Sequence, residues 1–504
     1  MKTGYYVTSV FWSGLAKVFN AVVGFVSIPL LLKHFGMDQY GILSLATAAN
    51  TYLQLMDLGM NMGSITFFSQ WRAKGEHERI QRVAGTSISL YGLIGVLNAL
   101  ILIAIGLWGE GLFQVTAAEF VQLRLALFIL AFFSVANWVT MVFSQLLISA
   151  DRIAFTQQVQ LVQTLLRLLL IVVTVYAGLG LHTYYFFTTL FFAGLFIPYY
   201  AKCRQLKLIH TLRPQWHWSE FQVVLLYSLS LFVLTFFQMS AANSRPILLG
   251  MFVSDAPRVI AEYRIIEVFP AFILSIGGMM TSIFLPKASG MTASGVQTDI
   301  DLFAVRATRM TSIMSVVLCV PVALLAEELI EVYVGPDYVH LAVWLRLWAL
   351  SLLISLHTSP GNSLILASGK TRVLVVVTVI ACLLSMLSNA LLSPYMEVGS
   401  AVLSYAGYLL VMVVSDYLYI YPQSIGLPSK RMFWAFAKPA LLGVTAFALI
   451  DYAWPSLLHV GNARFEIFVR GLLKGIAWLL LFVGGLFGLR IMSRSELLQL
   501  LGRA

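Results

Sequence analysis

Apolar residues in this chain run in long uninterrupted blocks instead of alternating or forming narrow stripes. Fourteen blocks can be marked: 9–33, 40–68, 83–106, 121–148, 158–178, 184–201, 221–243, 259–285, 306–326, 341–367, 373–393, 400–421, 435–453 and 467–490. A helix crossing a bilayer needs about 17–25 residues, and hydrocarbon offers the backbone no hydrogen-bond partner, so each block is predicted as a helix. The longest connections, 202–220 and 286–305, leave no room for a soluble domain. The first block is longer than a signal-peptide core and lacks a small-residue cleavage site after it, so it is expected to be retained. The pattern predicts an all-α polytopic membrane protein with about fourteen transmembrane helices.

Composition agrees. Apolar types make up 60% of the 504 residues and charged types 11%, against about 25% charged in soluble domains. Where the charges fall sets orientation. With the N-terminus in the cytoplasm, the cytoplasmic connections hold Arg72, Lys74, Arg79, Arg82, Arg152, Lys202, Arg204, Lys207, Arg213, Lys287, Arg306, Arg309, Lys370, Arg372, Lys430 and Arg431. The tail adds Arg490, Arg494 and Arg503, whereas Glu110, Glu119, Glu327, Glu328, Glu331 and Asp337 fall on the other side. Both termini are therefore expected in the cytoplasm. This topology accounts for the net charge of +10 without nucleic acid as a partner, and basic juxtamembrane loops attract anionic membrane lipids. Cys203, Cys319 and Cys382 are isolated, so neither a disulfide framework nor a metal site is indicated.

A weak internal repeat is present. Pro29, Leu31, Leu32, Phe35 and Asp38 recur in order and spacing as Pro246, Leu248, Leu249, Phe252 and Asp255. Each proline closes a block that would open a set of six. Such parallel repeats are a transporter organisation, with the substrate between halves. The expected division is a first lobe at 1–201, a linker at 202–220, a second lobe at 221–421, and two extra helices with a tail at 422–504.

A charge inside a span costs about 2.5–3.5 kcal/mol on insertion scales and asks for a reason. Several blocks carry polar stripes at helical spacing. They are Ser13, Lys17, Asn20, Gly24 and Ser27; Thr47, Asn50, Gln54, Asp57 and Asn61; Gln160, Gln163, Arg167 and Thr174; and Arg264, Glu267, Ser275, Gly278 and Ser282. A stripe lines either a water-filled cavity or a polar seam between helices. Lys17 and Arg167 lie deep enough to favour the cavity. Arg264, Glu267 and Arg346 lie near the outer interface, where long side chains snorkel. Arg470 and Lys474 read as interfacial anchors. Lys17 and Asp57 fall at comparable depth and are expected to pair. Leu58-Gly59 is expected to loosen the backbone beside them. Asp57, Glu267 and His357 are the candidates for coupling to H+ or Na+, and His357 equally reads as a packing residue.

Cations outnumber acids among these positions, which suits an anionic substrate. The sequence has no GxxxxGK[ST] and no HExxH, and no extramembrane domain to house catalysis. A transporter without cofactors is expected, not an enzyme.

Three stretches resemble bacterial polysaccharide flippases of the Wzx type, in the MOP superfamily that also holds MATE exporters and lipid II flippases. They are Ile28-Pro29-Leu30-Leu31-Leu32 with Gln39-Tyr40-Gly41 and Asp57-Leu58-Gly59; Leu329-Ile330 with Tyr333-Val334-Gly335-Pro336-Asp337-Tyr338; and Leu364-Ile365-Leu366-Ala367-Ser368-Gly369-Lys370-Thr371. The resemblance implies two six-helix lobes in a V-shaped, MATE-like arrangement plus two C-terminal helices, alternating between inward-open and outward-open states in a bacterial inner membrane. It implies as substrate an undecaprenyl-pyrophosphate-linked oligosaccharide, with polysaccharide polymerase and assembly proteins as possible partners. The family's cationic cavity would map onto Lys17, Arg167, Arg264 and Arg346. MATE exporters often carry an acid in the first span, where this chain has Lys17.

Overall fold

A computed structural model describes residues 3–209, 212, 215–294, 296–453 and 464–492. Arg213, Arg494, Arg503 and the side-chain positions of Gly278 and Ser282 lie outside the described residues. All regular elements among the described residues are helical. By contact the chain divides into two compact units: Met1–Arg264 with Ala390–Glu397, and Ile265–Asn389 with Val398–Ala504.

The first unit contains α1 (Thr3–Leu53), α2 (Met60–Ala73), α3 (His77–Trp108), α4 (Ala117–Ser149), α5 (Ile153–Ala177), α6 (Leu181–Ala193), α7 (Phe196–Gln205), α8 (Trp218–Asn243), α9 (Arg245–Phe252) and the start of α10 (Ala256–Ser294). The second holds the rest of α10, then α11 (Gln297–Leu324), α12 (Ala326–Tyr333), α13 (Ala342–Leu356), α14 (Ser359–Ser368), most of α15 (Arg372–Met396), α16 (Val398–Ser415), α17 (Tyr421–Ser424), α18 (Ser429–Ala453) and α19 (Arg464–Gly488). All fourteen apolar blocks fall on helical segments, and the chain is a multi-pass membrane protein. Eleven helices among the described residues are long and apolar enough to span, or twelve if the bent pair within α8 counts as one. That is fewer than fourteen because the first two blocks join into one run, Phe11–Asp57, and because α10 is not among those helices.

Local chemistry explains the breaks. Pro29 sits within α1, and at Gly36 the backbone leaves helical geometry (φ 79°, ψ 176°), a conformation open to a residue without a Cβ. At the second copy of the repeat, α9 begins with Arg245-Pro246 and ends at Val253 in extended geometry. Both copies therefore break immediately after the repeated phenylalanine. The second block breaks where the sequence placed loosening: Leu58 (φ 54°) and Gly59 (φ 69°) are both left-handed.

The unit boundary falls inside α10, not in 202–220, because α8 and α9 pack on earlier helices. Arg82 grips Glu220 through two hydrogen bonds of 2.9 and 3.1 Å. A Cβ on Gly63 would strike Ser228, and one on Gly41 would strike the Pro257 carbonyl. The Gln114 amide donates to the Gly250 carbonyl at 2.7 Å. A core of Phe68, Trp71, Tyr91, Trp138, Phe143 and Tyr199 fills the unit.

In the second unit Trp478 donates to the Gly443 carbonyl at 3.1 Å, tying α19 to α18. Lys474 is not an interfacial anchor. It is buried at 8% side-chain exposure, 3.1 Å from Asp451 and 3.5 Å from Glu328, and donates to the Leu324 carbonyl at 3.2 Å. Acids on two neighbouring helices reach it, so its burial carries compensation that sequence spacing does not display.

The close approach at Gly41 yields a test. Gly41→Ala forces backbone against backbone and is expected to destabilise by about 1–3 kcal/mol. Gly24→Ala, with open space around it, should leave thermal unfolding in detergent unchanged or raise the midpoint.

Candidate functional site

The polar stripes of α1 and α5 face the same seam. The single hydroxyl proton of Thr164 is shared between the Asn20 side-chain oxygen at 2.8 Å and the Gln160 carbonyl at 2.9 Å. Lys17 lies one turn from Asn20 and is exposed; Gln160, Gln163 and Arg167 are half-buried. The Arg167 Nε is buried with no hydrogen-bond partner. Neither Lys17 nor Arg167 makes an ion pair among the described residues.

Arg167 and Arg264 share a neighbour. Both guanidinium charges act on the phenol of Tyr40, which is buried and hydrogen-bonded with Ser44. Three helices thus converge: α1 brings Tyr40, α5 brings Arg167 and α10 brings Arg264. Gly41 permits this, since its missing Cβ lets α1 lie on the start of α10 at Pro257. Sequence reading quoted Gln39-Tyr40-Gly41 only as a motif and did not assign Tyr40 to the site. A tyrosine in an apolar run carries no signal of its own.

Lys17 and Asp57 do not pair. Asp57 accepts a hydrogen bond from the Tyr91 hydroxyl and another, at 3.1 Å, from the Asn61 amide. Tyr91 in turn accepts from Gln145 at 2.8 Å. The break at Leu58-Gly59 explains the difference. It exposes the first amides of α2, and the nearest acceptor able to satisfy one is the Asp57 carboxyl, four residues before Asn61. The Asn61 side chain is exposed.

The remaining candidates lie in the second unit. Arg346 donates to the Ala323 carbonyl at 3.2 Å and to Glu327 at 3.3 Å, and its guanidinium lies 5.9 Å from the Phe447 ring centre. It is paired, unlike Lys17 and Arg167. Glu267 is half-buried. His357 is fully buried and stacks on Phe436 at 3.6 Å between ring centres, with Tyr417 at 5.6 Å. Its surroundings are those of a packed aromatic.

Three buried ionisable residues were not singled out from the sequence: Glu262, which pairs with Arg258 at 3.4 Å, Arg245 and Asp416. Arg245 is 5% exposed at the start of α9; it donates to the Ala242 carbonyl at 2.9 Å and lies over the Tyr263 ring. Asp416 is 1% exposed, opens a π-helical turn (Asp416–Ile420), and faces Asn362 and Tyr421. π-turns concentrate at functional positions. The dipeptide Arg245-Pro246 and an acid inside the block 400–421 are the signals that would have found the last two.

No protein-family model matches the chain. It is 22% identical over 467 residues to the uncharacterized membrane protein EpsK of Bacillus subtilis (strain 168), covering 86% of this chain and 88% of that protein. Among solved structures it is similar to the lipid II flippase MurJ in an inward closed conformation. The TM-score there is 0.72 at 12% identity, over 96% of this chain and 100% of the other. The chain shares the fold of that protein. An inward-facing multidrug resistance MATE transporter of the MOP superfamily also matches, with a TM-score of 0.54 at 16% identity over 89% of this chain and 95% of that one. The MATE transporter VcmN of Vibrio cholerae in its bent form gives 0.52 at 13% identity, over 86% and 100%.

The Asp57–Tyr91 contact predicts a coupling energy. A double-mutant cycle on Asp57→Asn and Tyr91→Phe should give a coupling of at least about 0.5 kcal/mol in unfolding free energy. The Lys17→Ala and Asp57→Ala pair should be additive.

Proposed function

We propose that this protein is a flippase that carries undecaprenyl-pyrophosphate-linked oligosaccharide repeat units from the cytoplasmic to the periplasmic leaflet of a bacterial inner membrane. The observation that carries the proposal is the charge of the first unit. Lys17 and Arg167 sit on spanning helices without ion-pair partners among the described residues, and Arg167 shares Tyr40 with Arg264. Cations held this way in a low-dielectric setting need an anion. A pyrophosphate supplies two phosphates for Arg167, Arg264 and Lys17; sugars find donors and acceptors in Asn20, Gln160, Gln163 and Asn61; the polyprenyl tail stays in lipid. Arg346, in the second unit, is the remaining candidate cation for the substrate.

The likeness in fold to a flippase and to a transporter supports transport by alternating access of two lobes, and not catalysis. The product leaves on the side where polymerase and assembly proteins would take it. H+ or Na+ is the coupling ion we propose. Asp57 is the best-placed carrier, because protonation of its carboxyl would loosen the cap on α2; Glu267 and His357 are the other candidates. An export role for organic cations, as in MATE transporters, fits less well, because the charge in the first span is Lys17. A lipid II flippase is the second reading, favoured by the likeness to MurJ over nearly the whole chain; its substrate shares the pyrophosphate.

Sidedness of the glycolipid tests the proposal. Cells lacking the protein should retain undecaprenyl-pyrophosphate-linked oligosaccharide on the cytoplasmic face, and restoring wild type should move it. Arg167→Ala should lower transfer at least about tenfold, the scale of one lost charge-assisted contact, and Arg167→Lys should recover part of it. If sidedness never changes but lipid II becomes accessible outside, the second reading replaces the first.

A further inference from the structure

The second unit contains a large basic cavity that the transport proposal does not use. Its volume is about 1180 Å³, beyond the roughly 300–1,000 Å³ usual for small-ligand pockets. It opens among the start of α11, the start of α18 and the residues just after α19. Helical spacing aims two rows into it: Asp301, Val305 and Arg309 along α11, and Lys430, Trp434 and Lys438 along α18, each four residues apart. Arg431 and Arg490 complete the set. Five cations thus face one carboxylate, and that carboxylate, Asp301, already accepts a 2.8 Å hydrogen bond from Gln297.

Three further features point to an anion. Lys430, Arg431, Lys438 and Arg490 make no ion pair among the described residues. Two of them, Lys430 and Arg431, occupy the first turn of α18, which holds no acidic residue; helix starts ordinarily disfavour cations there. Lys438 lies about 13 Å along the helix from Ser429 at 1.5 Å per residue, inside a span where a charge is costly. Tyr417 also lines the cavity. Val305, Leu427, Trp434, Pro439 and Ile491 supply apolar walls.

We infer that this cavity binds a phosphate-bearing lipid headgroup, the phosphate held by Arg431, Lys438 and Arg490 and the upper chain by the apolar wall. The charge bias of the loops places this end of the helices at the cytoplasmic leaflet. An anionic phospholipid and a polyprenyl phosphate share this chemistry. The inference does not depend on the transport proposal, because its readout is lipid retention.

The test uses the full-length protein in neutral-detergent micelles, with bound lipid read by native mass spectrometry after addition of phosphatidylglycerol, undecaprenyl phosphate or phosphatidylcholine. Wild type should retain one or both anionic lipids and not phosphatidylcholine; which of the two is retained identifies the source. R431Q/K438Q should weaken retention at least about tenfold, with R431K/K438R restoring it, and size-exclusion profiles should confirm that both variants are folded. The pair K74Q/R152Q, which removes the same charge elsewhere on the basic side, should retain lipid as wild type does. Equal loss in that control, unchanged retention in R431Q/K438Q, or binding of soluble pyrophosphate with no retained lipid would each overturn the inference. If R431Q/K438Q does not fold, the single variant R490Q, outside any helix, carries the same expectation.

Discussion

Every interruption of a helix inside hydrocarbon frees backbone groups that no water can satisfy, and the first unit is organised around that constraint. The break at Leu58-Gly59 would leave the first amides of α2 bare. Asp57 answers one of them, Tyr91 holds Asp57, and Gln145 holds Tyr91. A chain of three side chains from three helices thereby fixes the angle at which the second span resumes. The same carboxyl is the acidic member of the polar stripe Thr47, Asn50, Gln54, Asp57 and Asn61. Its first duty is to the backbone, and any part in ion coupling is exercised through that duty.

Charges on the helices are treated in two ways. In the second unit Arg346 finds Glu327, and Lys474 finds Asp451 and Glu328, and in the first unit Arg82 finds Glu220, so these charges are compensated inside the protein. Also in the first unit, Lys17 and Arg167 have no such acids, although helices there are packed closely enough to exclude a Cβ at Gly41 and Gly63. Compact packing that leaves cations unpaired keeps a specific place for an external anion, whereas compensated charges serve to lock helices together.

Sequence made the helical, membrane-spanning character legible because hydrocarbon imposes one backbone solution and one length. It also exposed the break at Leu58-Gly59, whereas the breaks at Gly36 and Val253, each just after a repeated phenylalanine, became visible only in the structure. Partner choice was less visible. Depth along a straight helix put Lys17 beside Asp57, but the local break gave Asp57 closer work, and a rule about depth cannot see a left-handed residue such as Leu58. Lys474 looked like an anchor because its partners, Asp451 and Glu328, belong to other helices and far positions in the chain. Tyr40 and Tyr91 were silent for a further reason: a tyrosine in an apolar block is equally suited to lipid, core or site, and only its neighbours decide.

Gly36 and Gly41 illustrate two different kinds of evolutionary constraint within five positions. Gly36 has a positive φ with an extended ψ (φ 79°, ψ 176°) and open space around it, so it is restricted by its own dihedral angles alone, in a region essentially closed to residues with a Cβ. Gly41 has an ordinary helical backbone and no space, because the Pro257 carbonyl occupies the place of a Cβ. Its replacement requires a retreat of α10 that no change of residue at position 257 supplies, since every residue there carries the same carbonyl, so position 41 is held by a neighbour's backbone and position 36 by its own.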